Sequence, residues 1–352
     1  MSLSELFISK ELTIKDSLAK LDKTAKRILL VMEDEKLQGI ITDGDIRRWI
    51  LNNGDLNERV ELAMNRSPIS VYEKDVKKAK EILNTNMIEA IPVLNENNNV
   101  VDIIFWNENF NRKLNYYKKL ENPVVIMAGG KGTRLEPYTK ILPKPLIPIG
   151  DTPIVERIIN KFNEYGCNNY YMTVNYKKNM IKAYFDEKEK PYQVNFVEEK
   201  TPLGTAGSLY LLKGIIKETF FVSNCDILIE GNYSGMLKYH KANNNKITLI
   251  SSLKHYTIPY GVIEIDKNSI VKGMMEKPEY DYLVNTGMYI LEPECLHDIP
   301  ANTFYHMTEL IQHYIDKGEK VGVYPVRENS WLDMGQFKEM ENMIERLGVS
   351  NE

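Results

Sequence analysis

The stretch PVVIMAGGKGTRLEPYTKILPKPLIPIG, from Pro123 to Gly150, constrains this chain more than any other. Its apolar run, Val124 to Met127, is too short for a helix and is bounded by proline and glycine, so it reads as a buried parallel strand. After Ala128 come Gly129, Gly130 and Gly132, which let the backbone turn sharply and present bare N–H groups, with Thr133 and Arg134 following at once. A guanidinium is a permanently charged fork for phosphate oxygens. A second cation, Lys144, is held between Pro143 and Pro145, which restrict the backbone on both sides of it. Together these imply a cradle for a triphosphate. Two common cradles are excluded: Val125 stands where a Walker A loop needs its first glycine, and Leu135 where the dinucleotide fingerprint needs its third.

Beyond the cradle, PIVERIINKFNEYG carries apolar residues at helical spacing and stops at Gly166. The segments NYYMTVNY, KKNMIKAYFD, YQVNFVEE, TAGSLYLLK and TFFVSN then alternate strand and helix. That order predicts an α/β unit, a Rossmann-like and mostly parallel sheet covered on both faces, with ligands at the carboxyl ends of its strands. The segment Glu198-Glu-Lys-Thr-Pro-Leu-Gly204-Thr205-Ala-Gly207 reads as a strand end, a glycine turn and a helix start with Thr205 as cap. Phe220-Phe-Val-Ser-Asn-Cys-Asp226 is an apolar strand ending in a carboxylate, and aspartate is a poor strand residue that wants a partner when buried. His240, His255, His297, His306 and His313 show no metal-ligand spacing, and no GxSxG context supports a covalent nucleophile.

AGGKGTRLEPYTKILPKPL resembles the signature of the sugar-1-phosphate nucleotidylyltransferases, which join an NTP to a sugar 1-phosphate and release pyrophosphate. The resemblance runs from about Asn122 to near Leu347 and implies a set of roles. Ala128, Gly129, Gly130, Gly132 and Thr133 would hold the nucleotide, and Glu198, Gly204 and Thr205 would lie against its base. The LGTAG form of that turn is similar to purine-using members, which favours GTP. Arg134, Lys144 and Asp226 would be catalytic, with Mg²⁺ held by Asp226 and by Asp333 of the Trp331-Leu-Asp-Met-Gly335 segment, matching magnesium's use of one or two carboxylates plus phosphate oxygens. Tyr260, Gly261, Glu276, Lys277, Asn285 and Thr286 would line the sugar pocket. On this reading residues 123–352 form the transferase domain.

Residues 1–118 contain two halves, about 1–66 and 67–118, that echo each other at roughly sixty residues, as a duplicated α/β unit does. KDSLAKLDK then RILLVMEDEKLQGIITDGDIRRWI is matched by DVKKAKEILNTN then AIPVLNENNNVVDIIFWNENF, with hairpin turns at 34–36 and 95–99. This resembles a tandem pair of CBS repeats. The resemblance implies one site for an adenine or guanine nucleotide, with Thr42 at phosphate and Asp45 at ribose; Asp102, Phe105 and Glu108 stand at the matching places of the second half. NENFNRKLNYYKKLEN reads as the linker, ending with 119–122. A CBS pair joined to such a transferase resembles the glucosamine-1-phosphate guanylyltransferases of nonulosonic (legionaminic) acid pathways, and paired CBS modules imply a homo-oligomer.

Composition removes other classes. A net charge of -4 gives no basic field for nucleic acid. Three cysteines without CxxC spacing indicate neither a disulfide framework nor a zinc site, which points to a reducing, cytoplasmic setting. No run of eighteen apolar residues suggests a membrane span.

Overall fold

Successive residues of a strand face opposite sides of its sheet, and in Val124–Ala128 the two sides meet two different cores. Val124, Ile126 and Ala128 enter one apolar cluster with Phe162, Ile227 and Met334. Val125 enters another with Ala206, Leu209 and Met307, and Met127 packs against it. A strand covered on both faces needs apolar residues at every position, which is why this segment shows a continuous run rather than alternation. The structure, a computed structural model, describes residues 3–24, 26, 28–86, 88, 90–105, 119–187 and 190–348. The chain divides into two compact units, Met1–Lys113 and Leu114–Glu352. Most of the expected linker and Glu108 lie outside the described residues.

In the carboxyl-terminal unit a seven-stranded sheet runs in the order Gln193–Glu198, Asn169–Val174, Val124–Ala128, Phe220–Asn224, Glu279–Leu291, Ile247–Thr257, Val321–Val326. Only Glu279–Leu291 is antiparallel to its neighbours, so the sheet is mostly parallel, as the strand–helix alternation predicts. Helices Ile154–Glu164 and Tyr233–Ala242 pack on one face; Met307–Asp316 packs on the other. The helix ending at Glu164 reverses through Gly166, whose φ of 97° is one that side-chain-bearing residues rarely adopt.

The amino-terminal unit holds two three-stranded sheets that repeat one plan. Ile28–Glu33 and Lys36–Thr42 form the first hairpin, Ala90–Leu94 and Val100–Phe105 the second, turning at the two expected places. Each sheet also gains a two-residue parallel strand, Phe7–Ile8 or Val71–Tyr72, too short to be legible as a sequence pattern. Ile28, Leu30 and Ala90 share a cluster with Ile103 and Phe105, so the halves of this unit are joined by a common apolar core. No helix among the described residues is long and apolar enough to cross a membrane.

Phe221 is fully buried and meets Phe162 at 5.4 Å and Tyr233 at 6.2 Å between ring centroids. Phe221→Ala should lower stability of the carboxyl-terminal unit by about 3 to 5 kcal/mol, since the packed rings cannot collapse into the space left. Urea denaturation followed through an aromatic signal checks this; a loss below about 1 kcal/mol would show the cluster to be plastic.

Candidate active site

The parallel strands end level with one another: Ala128 pairs with Val174, Val174 with Glu198, and Met127 with Asn224. Loops leaving these ends therefore converge on one edge. The first is the glycine loop. Gly132 has φ of 68°, and a Cβ there would stand 2.9 Å from Thr139 Cγ2 and 3.1 Å from Lys144 Cβ, so the loop lies directly on the turn that carries Lys144. The Thr139 hydroxyl fastens the two by donating to the Gly132 carbonyl at 3.0 Å. Gly130 faces open space, and Thr133 and Arg134 are exposed at the loop's rim.

Lys144 opens a short 3-10 turn, Lys144–Leu146, and is itself buried at 9% exposure. Its ammonium forms an ion pair with the Asp226 carboxylate, which is buried at 8%. Asp226 stands between the strand Phe220–Asn224 and the short strand Ile227–Ile229, which pairs antiparallel with Trp331–Asp333. Because Ile227 lies opposite Asp333, and the Met334 N–H donates to the Asp226 carbonyl at 2.8 Å, the pairing brings a carboxylate from more than a hundred residues away to the side of Asp226. Burial and then the charge of Asp226 push the Asp333 carboxyl above its ordinary range, while Lys144 and Arg134 pull the other way. Asp333 thus lies within the fields of Asp226, Lys144 and Arg134. No group of three or more His, Cys, Asp or Glu among the described residues could hold a metal ion. Two adjacent carboxylates fit an Mg²⁺ that takes its other ligands from phosphate oxygens and water.

At the end of the edge strand Gln193–Glu198 the Glu198–Glu199 pair divides. Glu198 is exposed between Lys178 and Lys182, and its hydrogen bonds to them hold its carboxyl down at about 2. Glu199 is buried at 5% exposure, and a Cβ on Gly129 would lie only 2.3 Å from its Oε1, so it presses against the start of the glycine loop. Its other oxygen accepts from the Leu203 N–H at 3.1 Å, and burial raises its carboxyl. Glu199, not the expected Glu198, is therefore the carboxylate beside the cradle. A one-residue step at a strand end exchanges the exposed side for the buried one, so the adjacent pair could not be told apart by composition. The expected cap at Thr205 is also absent. Gly204, with φ of 79°, turns the chain one residue earlier, and the Thr205 hydroxyl accepts from the Met307 N–H at 2.9 Å, tying this turn to helix Met307–Asp316.

The sugar-side residues fall into two sets. Tyr260, Glu276 and Lys277 are exposed at the base of a hairpin, where a Cβ on Gly261 would stand 3.1 Å from Glu276 Oε2. Asn285 donates to the Tyr289 hydroxyl at 2.7 Å and accepts from the Gly287 N–H. The Thr286 hydroxyl is turned into the sheet, donating to the Ile250 carbonyl at 2.6 Å where the register shifts between Ile250 and Ser251. In the amino-terminal unit Thr42 caps helix Asp43–Leu51 and Asp45 completes a capping box with it, while Asp45 also pairs with Arg48. The position matching Thr42 in the second half holds Phe105, whose ring lies 4.5 Å from the Lys26 ammonium.

Residues 123–348 match the family model described as nucleotidyl transferase, and residues 1–52 and 59–105 match that of the CBS domain. The chain belongs to the nucleotidyl transferase family. Over 231 residues, 61% of the chain, it is 32% identical to a mannose-1-phosphate guanyltransferase of Saccharomyces cerevisiae, covering 62% of that protein. It is 29% identical over 223 residues to the catalytic subunit beta of the mannose-1-phosphate guanylyltransferase of Xenopus tropicalis, covering 61% of either chain. The chain thus spans 61 to 62% of the length of these curated relatives. Its fold is shared with HddC from Yersinia pseudotuberculosis, at a TM-score of 0.52 and 24% identity, over 64% of this chain and 99% of that one.

The two carboxylates of this transferase unit should respond differently to neutralisation. Asp226→Asn strands the buried Lys144 charge and should cost about 3 kcal/mol. Asp333→Asn removes repulsion and should leave thermal stability unchanged or raised at neutral pH. Differential scanning calorimetry of the two variants decides; equal losses would contradict the assignment of Lys144 to Asp226.

Proposed function

We propose that this chain is a sugar-1-phosphate guanylyltransferase, forming a GDP-sugar and pyrophosphate from GTP and a sugar 1-phosphate. The observation that carries the reading is the convergence of Lys144, Asp226, Asp333 and Arg134 beside a glycine loop at the ends of parallel strands. An oxygen of the sugar phosphate attacks the α-phosphorus in line and pyrophosphate leaves on the far side. No covalent enzyme intermediate is required. The chain's work is then positioning and charge neutralisation. The N–H groups of the loop and the Arg134 guanidinium hold the triphosphate; Lys144, fixed by Asp226, presents its ammonium to negative charge that builds on the α-phosphoryl oxygens. Mg²⁺, held by Asp226 and Asp333, supplies further neutralisation when bound. Lys277 would meet the sugar phosphate, and Tyr260, Gly261, Glu276 and Asn285 the sugar.

Two features favour GTP. The curated relatives are guanyltransferases, and the carboxylate against the loop is Glu199. A carboxylate only accepts hydrogen bonds, so it complements the adjacent N1–H and N2–H donors of guanine and repels the carbonyl-flanked edge of uracil or thymine. For the sugar, the CBS pair joined to a transferase unit favours glucosamine 1-phosphate and a product serving nonulosonic (legionaminic) acid synthesis. Mannose 1-phosphate is the second choice, since the relatives are mannose-1-phosphate guanyltransferases. In the amino-terminal pair Thr42 and Asp45 stay the candidates for a regulatory adenine or guanine nucleotide, in a cytoplasmic homo-oligomer.

Pyrophosphate release from each of four NTPs, paired with glucosamine, mannose, glucose and heptose 1-phosphates, is the test. Release is expected with GTP, and none with any pair would mean a silent, nucleotide-sensing subunit. Glu199→Gln should reduce the preference for GTP over UTP by about ten-fold or more, because an amide offers a donor where guanine needs an acceptor. Glu198→Gln should leave that preference unchanged.

A further inference from the structure

The strands Val262–Ile265 and Val271–Met275 form a two-stranded sheet that no third strand among the described residues extends on either edge. Their register sets Ile263 opposite Met274 and Ile265 opposite Val271, so these four side chains share one face. They are 56%, 70%, 59% and 61% exposed in that order, and Ile270 in the connecting turn is 61% exposed. The concentration is unusual for this molecule. Of the twenty-two exposed large apolar side chains among the described residues, eleven fall between Tyr256 and Leu283. Hairpins of two strands are marginal in water by themselves, and an apolar face beside open edges invites pairing.

We propose that this face is a self-association surface, covered by the same face of a second copy of this chain across a two-fold axis. Charge narrows the choice of occupant. Glu264 and Asp266 balance Lys267 and Lys272, so the hairpin has no excess of base for an anionic lipid surface or a nucleic acid and no excess of acid for a basic partner. A neutral apolar face is complementary to itself, which is what an isologous contact requires. Area supports the same occupant: five side chains left with about 100 Å² each would bury roughly 500 Å² per copy and roughly 1,000 Å² in all, the threshold for a specific interface. Two such hairpins stack face to face about 10 Å apart, the ordinary spacing of packed sheets. The contact would brace the hairpin whose base carries Tyr260, Gly261, Glu276 and Lys277, and it does not depend on those residues holding a sugar.

Cross-linking of the full chain tests this at the surface itself, independently of any association through the amino-terminal unit. Cys167, Cys225 and Cys295 are buried, and burial pushes each thiol up to about 12, so a single introduced thiol is the reactive one. Met274→Cys treated with a short bis-maleimide should give a covalent dimer about ten-fold or more in excess of an Ile215→Cys control, because the second thiol is held close rather than met by diffusion. Ile263→Cys serves as a second reporter should the first misfold. Adding Ile265→Asp and Val271→Asp to either reporter should abolish the dimer while circular dichroism is unchanged, since both positions are exposed. A yield no higher than the control, a dimer that survives the two aspartates, or co-flotation of the wild type with phosphatidylglycerol vesicles that the aspartates abolish would each overturn the proposal.

Discussion

The buried ion pair between Lys144 and Asp226 is the constraint on which the rest of the candidate site rests. Neither charge could be kept in so dry a place alone, since removing one partner of such a pair costs about 3 to 5 kcal/mol. The pair therefore dictates where its two supports must be. Lys144 is delivered by a proline-bounded turn locked to the glycine loop through Thr139, and Asp226 by the turn that follows the largely buried strand Phe220–Asn224. With the lysine's charge matched, a second carboxylate can approach Asp226, and the antiparallel pairing of Ile227–Ile229 with Trp331–Asp333 supplies it.

The two faces of the sheet divide the work. Lys144, Asp226 and Asp333 stand over the cluster containing Phe221, Ile227 and Met334, whereas Glu199 and the Gly204–Gly207 turn stand over the cluster containing Leu209 and Met307. The glycine loop rises between them from the strand that both clusters share.

Much of this was legible in the chain itself. The buried strand, the glycine loop and the alternating order specify a mostly parallel sheet, and the sixty-residue echo specifies a duplicated unit. Most of what stayed hidden at the candidate site has one physical source: which way a polar side chain turns. Glu198 and Glu199 differ by a single step at a strand end, and only the packing against Gly129 separates them. Thr205 and Thr286 are ordinary hydroxyls in sequence, yet one holds the Met307 amide and the other the Ile250 carbonyl. Thr42 and Asp45 are spaced for a capping box as well as for a ligand, and the structure engages them in the former. The exposure of the hairpin's apolar face could not be read from the sequence, since Ile263, Ile265 and Met274 are residue types that ordinarily fill a core.

If Asp226 and Asp333 hold Mg²⁺ as proposed, two carboxylates are too few to bind it tightly, and nucleotide phosphates would have to supply further ligands. Mn²⁺ titrated into the full chain, followed by water-proton relaxation, measures this directly. The account predicts weak binding to the chain alone and a tightening of about ten-fold or more when a non-hydrolysable GTP analogue is present, lost in Asp333→Asn. Tight binding without nucleotide, or an affinity indifferent to it, would contradict the account.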